Sequence, residues 1–400
     1  MIFFYPAENV LGYSDTFLLT GIPYTAFRFL GLDPFLSLQF VLMLLATAGF
    51  WGMYHWVRRY REKGRVAATF IAGLFVIASP IYLASRNSHP QLLSVWFLPT
   101  FLILLESILL RLWREEKGVA LRFVVFAALF GLLTYSTFYV AYFFALLLFL
   151  GLLGCLALYG PKKSIAVTWE RRDRWKELLP GIGVLGLLAA LFLRTYLPAL
   201  KETGGRSFAE VVRLLPLPWD LFNHSTTNVL WGKFAEAIWS YPAQIWPHEL
   251  ELGMPPLLFF SAVLYAALLL LRERGTFTLE RLAAFVLLSG TLLLVRVGGY
   301  SLWSIPWFLL PGAEGIRAAF RFNLVLLLPA LLLLLRFSSG LWREANRKSR
   351  ALVVVLGAFL VLEQVQLSPN ARLSRGERWH LIEQAAPPPA ALECFYAFMP

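Results

Sequence analysis

The stretch SPIYLASRNSHPQLLSVWFLP, Ser79 to Pro99, decides how this chain folds. It sets a compact polar cluster, Arg86, Asn87, Ser88, His89 and Gln91, between two long apolar runs. Polar groups left inside hydrocarbon cost several kcal/mol each unless they are paired. The cluster therefore belongs at a membrane–water boundary, with an apolar helix on each side. It is either a plain hairpin loop or one wall of a site at the mouth of a helix bundle.

Working outward, the whole chain has the same character. Of 400 residues, 58% are hydrophobic and 15% charged, and the mean hydropathy is +0.65. Soluble domains carry about 25% charged residues, so the expected fold is all-α, a polytopic integral membrane protein. A helix needs about 20 apolar residues to span a bilayer. Ten candidates lie near 34–56, 66–84, 91–110, 119–135, 137–159, 178–197, 253–271, 279–297, 320–337 and 350–367. A turn around Ser136 joins the fourth and fifth as a tight helical hairpin. Residues 1–33, punctuated by Pro6, Gly12, Pro23 and Gly31, read as an external loop with a short amphipathic helix. Residues 34–367 form the transmembrane domain, and 368–400, with their APPPA run, an extended external tail.

The basic residues orient the bundle. Segments 57–65, 111–118, 160–177, 272–281 and 336–350 hold 5, 3, 6, 3 and 5 Lys/Arg, 22 of the 36 in the chain. Cytoplasmic loops carry the excess of Lys and Arg, so these segments face the cytoplasm. The loops with Asp15, His89, Asp220, Glu249 and Arg317 face outward, as does the tail. The net charge of +12 is thereby explained by topology and calls for no nucleic-acid partner. Both ends of the given residues then lie outside, yet MIFFYPAENVLGYSD has neither a basic n-region nor a sustained apolar core for a signal peptide. An upstream helix, missing from these residues, is the simplest expectation. Cys155 and Cys394 cannot support a disulfide framework.

Two external segments are unusual. Residues 198–252 contain PWDLFNHSTTNVLWGKF and SYPAQIWPHELELG. They form either a loop lying on the membrane surface or a lid over an external cavity. The sequon Asn223-His224-Ser225 matters only in a secretory lumen. Residues 298–316 are too short and too broken by Pro and Gly to span and return, so they read as re-entrant or interfacial. Directly behind them, Arg317 and Arg321 are expected four apart on one helical face.

No Walker loop, dinucleotide fingerprint, GxSxG elbow or His/Cys metal spacing is present. Three external clusters carry the candidate chemistry. In the first, Glu8 or Asp15 is either a solvated loop residue or a general base on a hydroxyl. The alternative role for such a carboxylate is as a ligand to a divalent metal. In the second, Arg86, His89 and Gln91 either satisfy a hairpin or meet an anionic headgroup or phosphate. In the third, Arg317 and Arg321 either snorkel to the interface or clamp a phosphate. All three share one side of the membrane. Ionisable groups inside spans (Glu106, Arg122, Arg194 and Glu363) are few and near predicted ends, which weakens a transporter reading.

Four stretches carry a family resemblance: FFYPAENVLGYSDTFLLTGIPYTAFRFLGLDP from Phe3, SHPQLLSVWFLPTFLILLE from Ser88, LTYSTFYVAYFF from Leu133 and LPGAEGIRAAFRF from Leu310. In that order they resemble a group of bacterial membrane proteins similar to the GT-C class of polytopic glycosyltransferases, over Phe3 to about Leu335. The resemblance implies transfer of a sugar from a polyprenyl-phosphate-linked donor to an acceptor on the external face of the bacterial plasma membrane. It also implies an acidic catalytic residue in the first external loop. The acidic motif usual after a first helix is absent here, which leaves Asp15 and Glu8 as the nearest acids. Arg317, Arg321, His89, Arg86 and Gln91 would contact the lipid-linked donor. The competing expectation is a lipid or polysaccharide transporter, or a non-catalytic membrane assembly subunit.

Overall fold

The computed structural model describes residues 12, 15–60, 64–86, 89–204, 206–238, 247–272, 278–344 and 346–367, with positions 374, 376–377 and 380 beyond them. Glu8, Asn87, Ser88 and most of the tail from 368 lie outside the described residues.

Among the described residues the chain is mostly helical. A short amphipathic helix, α1 (Leu18–Phe29), leads into α2 (Pro34–Tyr60), α3 (Arg65–Val76) and α4 (Ser79–Arg86). A tight 3-10 run, Pro90–Phe97, continues into α5 (Leu98–Trp113), and α6 (Val119–Ser136) and α7 (Phe138–Tyr159) follow. Next come α8 (Pro161–Glu170), a 3-10 run Arg172–Leu178, and α9 (Leu179–Thr203). Short helices α10 (Phe208–Arg213), α11 (Gly232–Ile238) and α12 (Pro247–Leu250) build the long loop. The remainder is α13 (Pro256–Arg272), α14 (Leu279–Leu294), a two-residue hairpin β1 (Arg296–Val297) and β2 (Tyr300–Ser301), α15 (Ser304–Leu309), α16 (Asn323–Glu344) and α17 (Arg347–Leu362).

Among the described residues, seven helices are long and apolar enough to cross a membrane. They are Pro34–Tyr60, Arg65–Arg86, Pro90–Trp113, Val119–Ser136, Phe138–Tyr159, Arg172–Glu202 and Ala319–Trp342. The other three expected spans are helical but shorter, with 17 residues in α13 and 16 in each of α14 and α17. Glu363, expected inside a span, falls just past the end of α17.

α16 is the axis of the bundle. Leu324 through Leu328 and Ala330 through Leu335 are all buried, and α3, α7, α13, α14 and α17 pack around them. A helix apolar on every side is the signature of such a central position. Around it, α2 crosses the Pro90–Trp113 segment where Gly49 and Gly52 remove their side chains. A Cβ on Gly49 would sit 2.7 Å from Trp96 Cβ, so the close crossing requires glycine.

Breaks in the helices have identifiable causes and supply polar groups. Pro80 disfavours helical geometry at the residue before it and removes a hydrogen-bond donor. The break between α3 and α4 frees the Ser79 N–H, which donates to Gln364 Oε1 at 3.0 Å. At the α6–α7 turn, Thr137 alone is extended, with φ −157° and ψ 105°. Residues 16–20 dock on this turn: Thr16 N and Oγ1 both donate to Tyr135 O, and Leu19 N donates to Ser136 Oγ.

Part of the long loop, residues 211–228, is packed into the body. Asp220, Asn223, His224 and Asn228 are buried, and Leu367 N donates to Thr227 O while Val229 N donates to Val365 O. Asn223, the sequon asparagine, is 1% exposed and its Oδ1 accepts from Ser225 N, so the folded chain does not present it for modification.

Candidate functional site

Three loop-borne elements meet at one end of the bundle. The first is Asp15. The α6–α7 turn leaves the Phe138 N–H without an intrahelical partner, and it donates to Asp15 Oδ1 at 3.1 Å. A carboxylate at a helix N-terminus is favourable on dipole grounds as well. The Gln91 side chain adds a second hydrogen bond, and the charges of Arg321 and His89 lie near. Burial nonetheless outweighs these contacts and raises the Asp15 carboxyl above its ordinary value.

The second element is His89 with Arg321. The sequence pattern expects Arg317 and Arg321 on one helical face; instead Arg317 lies in a bend and Arg321 in the 3-10 turn Ala319–Phe322. The reason is local: Gly312 takes a left-handed φ of 85°, Ile316 is extended, and a helix is not established until Asn323. The two arginines therefore part. Arg321 turns inward and is 5% exposed. Its Nη2 donates to His89 Nε2 at 2.7 Å, and its guanidinium lies 4.8 Å from the Tyr139 ring centroid. His89 Nε2 also lies 3.4 Å from Glu249 Oε1, so one ring nitrogen faces both members of the Arg321–Glu249 pair.

The third element is Glu249 of α12. Arg321 grips it with two hydrogen bonds, Nε to Oε2 at 3.0 Å and a shorter one from Nη2 to Oε1. Burial pulls this carboxyl upward, but His89 and Arg321 overcome it and hold it at about 2. The segment carrying Glu249 is fixed in turn by Gly253. A Cβ there would meet Asn223 N and O at 2.5 Å, and Gly253 N donates to Asn223 O.

Arg317 points away from this buried group. Its backbone N–H donates to Tyr139 Oη at 3.1 Å, and its guanidinium, about one-third exposed, approaches Glu210 Oε1 at 3.9 Å. Arg86 is exposed and donates to Thr227 Oγ1 at 3.0 Å, and Thr227 donates onward to Gln366.

Of the residues expected from sequence, Asp15, Gln91, His89 and Arg321 come together, and Arg317 touches the group only through its N–H on the Tyr139 hydroxyl. Arg86 joins a neighbouring network through Thr227, and Glu8 lies outside the described residues. Glu249 and Tyr139 were not among the expected site residues. The available signal for Glu249 was a burial argument: an inward-facing arginine needs a carboxylate from the same side of the membrane, and SYPAQIWPHELELG offers Glu249 and Glu251. Among the described residues, no three His, Cys, Asp or Glu side chains gather as metal ligands.

Chemically, the arrangement pairs a buried carboxyl of raised proton affinity with a buried Arg–Glu pair, a histidine and outlying cations. The fold defines an integral membrane protein with a polar, ionisable site at one end of an apolar bundle. Comparison with known proteins returns no matching family model, no matching curated protein and no matching solved structure.

Proposed function

We propose that the chain is a GT-C-like glycosyltransferase of the bacterial plasma membrane. It would move a sugar from a polyprenyl-phosphate-linked donor to an acceptor hydroxyl on the external face. One observation supports this above all: Asp15 meets Gln91, His89 and Arg321 beside Phe138 and Tyr139. These residues come from all four stretches that carry the family resemblance.

In this reading the Asp15 carboxylate takes the proton of the acceptor hydroxyl as its oxygen attacks the anomeric carbon. A new C–O bond forms there while the bond from that carbon to the phosphate oxygen breaks, and polyprenyl phosphate leaves with the electron pair. The higher proton affinity that burial gives Asp15 suits a base. Charge growing on the phosphate needs an accessible cation. Arg317, about one-third exposed beside Glu210, fits that role, with exposed Arg86 as a second contact. Arg321 is enclosed and serves to hold His89 and Glu249 in place. The shorter helices α13, α14 and α17 complete a ten-span bundle, with the site and both ends of the given residues external by the Lys/Arg distribution.

The test uses membranes supplied with labelled polyprenyl-phosphate sugar. Asp15→Asn lowers transfer about 10²–10⁴-fold, the usual worth of a general base, and Arg317→Ala abolishes transfer at unchanged protein level. Wild-type protein that moves label between faces without forming a glycosidic bond would instead be a lipid or polysaccharide transporter. Neither movement nor bond formation would mark a non-catalytic assembly subunit.

A further inference from the structure

The connection between α7 and α9 lies at the opposite end of the bundle from Asp15, and its exposed surface combines cations with large apolar side chains. We propose that residues 161–178 form a docking surface for the anionic headgroups and adjoining acyl region of a phospholipid leaflet. The proposal requires only that α7 and the Arg172–Glu202 segment cross the membrane, and it is independent of any glycosyl transfer.

Position comes first. α7 and Arg172–Glu202 are both long and apolar enough to span. α8, which joins them, and the 3-10 run Arg172–Leu178, which opens the second of them, must therefore lie at one membrane boundary. On α8, Ile165 and Trp169 lie four apart and share a face, and they are 61% and 57% exposed. Trp175 is 42% exposed and meets Trp169 edge-to-face at 6.1 Å, while Trp113 at the end of α5 is 46% exposed. Tryptophan favours the headgroup layer, and an amphipathic helix in that layer buries its apolar face while basic residues meet anionic lipid.

Charge completes the fit. Arg171 pairs with Glu115, Arg111 with Glu116 at 3.0 Å, and Arg174 with Glu177 at 2.7 Å. Arg174 also donates to the carbonyls of Arg111, Leu112 and Glu116, satisfying the C-terminal end of α5. After these pairs are set aside, Lys162, Lys163, Arg172, Lys176, Arg114 and Lys117 form no ion pair among the described residues. Only Glu170 and Asp173 remain to oppose them. Arg172 stacks on Trp169 with 5.4 Å to the ring centroid, and Lys163 lies 5.9 Å from the Tyr159 ring. The surface thus offers cations fixed beside aromatic rings, with apolar side chains directly behind them. That is the order in which a phospholipid presents phosphate and acyl chain.

Native mass spectrometry of the full chain in detergent, titrated with phosphatidylglycerol or phosphatidylcholine, tests this. Phosphatidylglycerol should bind at least tenfold more tightly, and raising salt from 0.05 to 0.5 M should weaken only that lipid. Each cation near such a surface is worth about fivefold in affinity. The variant K162Q/K163Q/R172Q/K176Q should therefore bring phosphatidylglycerol down to the phosphatidylcholine value, while K201Q/R206Q at the other end leaves it unchanged. I165A/W169A should weaken both lipids. Equal binding of the two lipids, salt-insensitive preference, or a preference that survives the fourfold variant overturns the proposal. Displacement by glycerol 3-phosphate at the affinity of the whole lipid also overturns it, because the site would then be one for free phosphate.

Discussion

The two ends of the bundle carry similar residue types and use them differently. At one end, Arg321 and Glu249 are buried and joined by two hydrogen bonds, with His89 and Tyr139 closing around the guanidinium. At the other, Arg59–Glu106 and Arg111–Glu116 are open pairs, whose arginines are 40% and 31% exposed. A surface pair gains little because water and salt screen it. A buried pair must be satisfied in full, because losing either partner strands a charge in low dielectric. One end is therefore specified residue by residue. The other carries mostly open pairs and, among the described residues, unpaired cations, with Arg174 on the Arg111, Leu112 and Glu116 carbonyls as its most fixed contact.

Four measurements sharpen or break this contrast, taken from the largest expected effect down. Glu249→Ala strands Arg321 and should destabilise the protein by about 3–5 kcal/mol in thermal unfolding; a change under about 1 kcal/mol would mean that water or lipid already solvates Arg321. The second concerns pH. Glu363 accepts from Leu257 N, Leu258 N and Trp231 Nε1, yet burial raises its carboxyl to about 7. An acid raised on folding stabilises most below its unfolded value near 4.5, and that contribution is lost as pH rises through about 7. Stability should therefore fall by up to about 3 kcal/mol between pH 5 and 8, with the slope absent in Glu363→Gln. Glu249 has the opposite sign. Held at about 2, its contribution is lost only as pH falls toward that value, so it is constant across the same window.

The third measurement is Gly253→Ala, which forces a Cβ onto the Asn223 backbone. It should cost about 1–3 kcal/mol, whereas Gly183→Ala on α9, where nothing lies within 4 Å, should be neutral or slightly stabilising. The smallest effect belongs to Arg59→Ala, at about 0–1 kcal/mol and vanishing in high salt. A large loss there would show that the basic end, too, depends on specific pairs.

Much of this architecture is legible in sequence. Long apolar runs mark the seven segments long enough to span and the shorter helices α13, α14 and α17, and the α6–α7 hairpin falls at Ser136 as the pattern requires. Arg317 and Arg321 are where reading failed. Spacing of four implies one face only if the backbone is helical, and the turns from Gly312 to Phe322 break that condition. Glu249 escaped for another reason: its importance derives from Arg321, 72 residues away, and no local pattern encodes that distance.

The sequence by itself determined that this is a polytopic helical membrane protein, because hydrocarbon admits few polar groups and the apolar runs are long enough to fill it. It also gave reason to expect Asp15, His89, Glu249 and Arg321 on one side, and the structure brings them together. Only the tertiary structure decided that Asp15 sits on the Phe138 N–H beside Gln91, that Arg321 is buried against Glu249 while Arg317 is partly exposed beside Glu210, and that Asp220, Asn223, His224 and Asn228 of the long loop are buried. Those outcomes depend on which helix ends lie next to one another. Packing around α16 sets that adjacency, and the periodicity of any single segment does not.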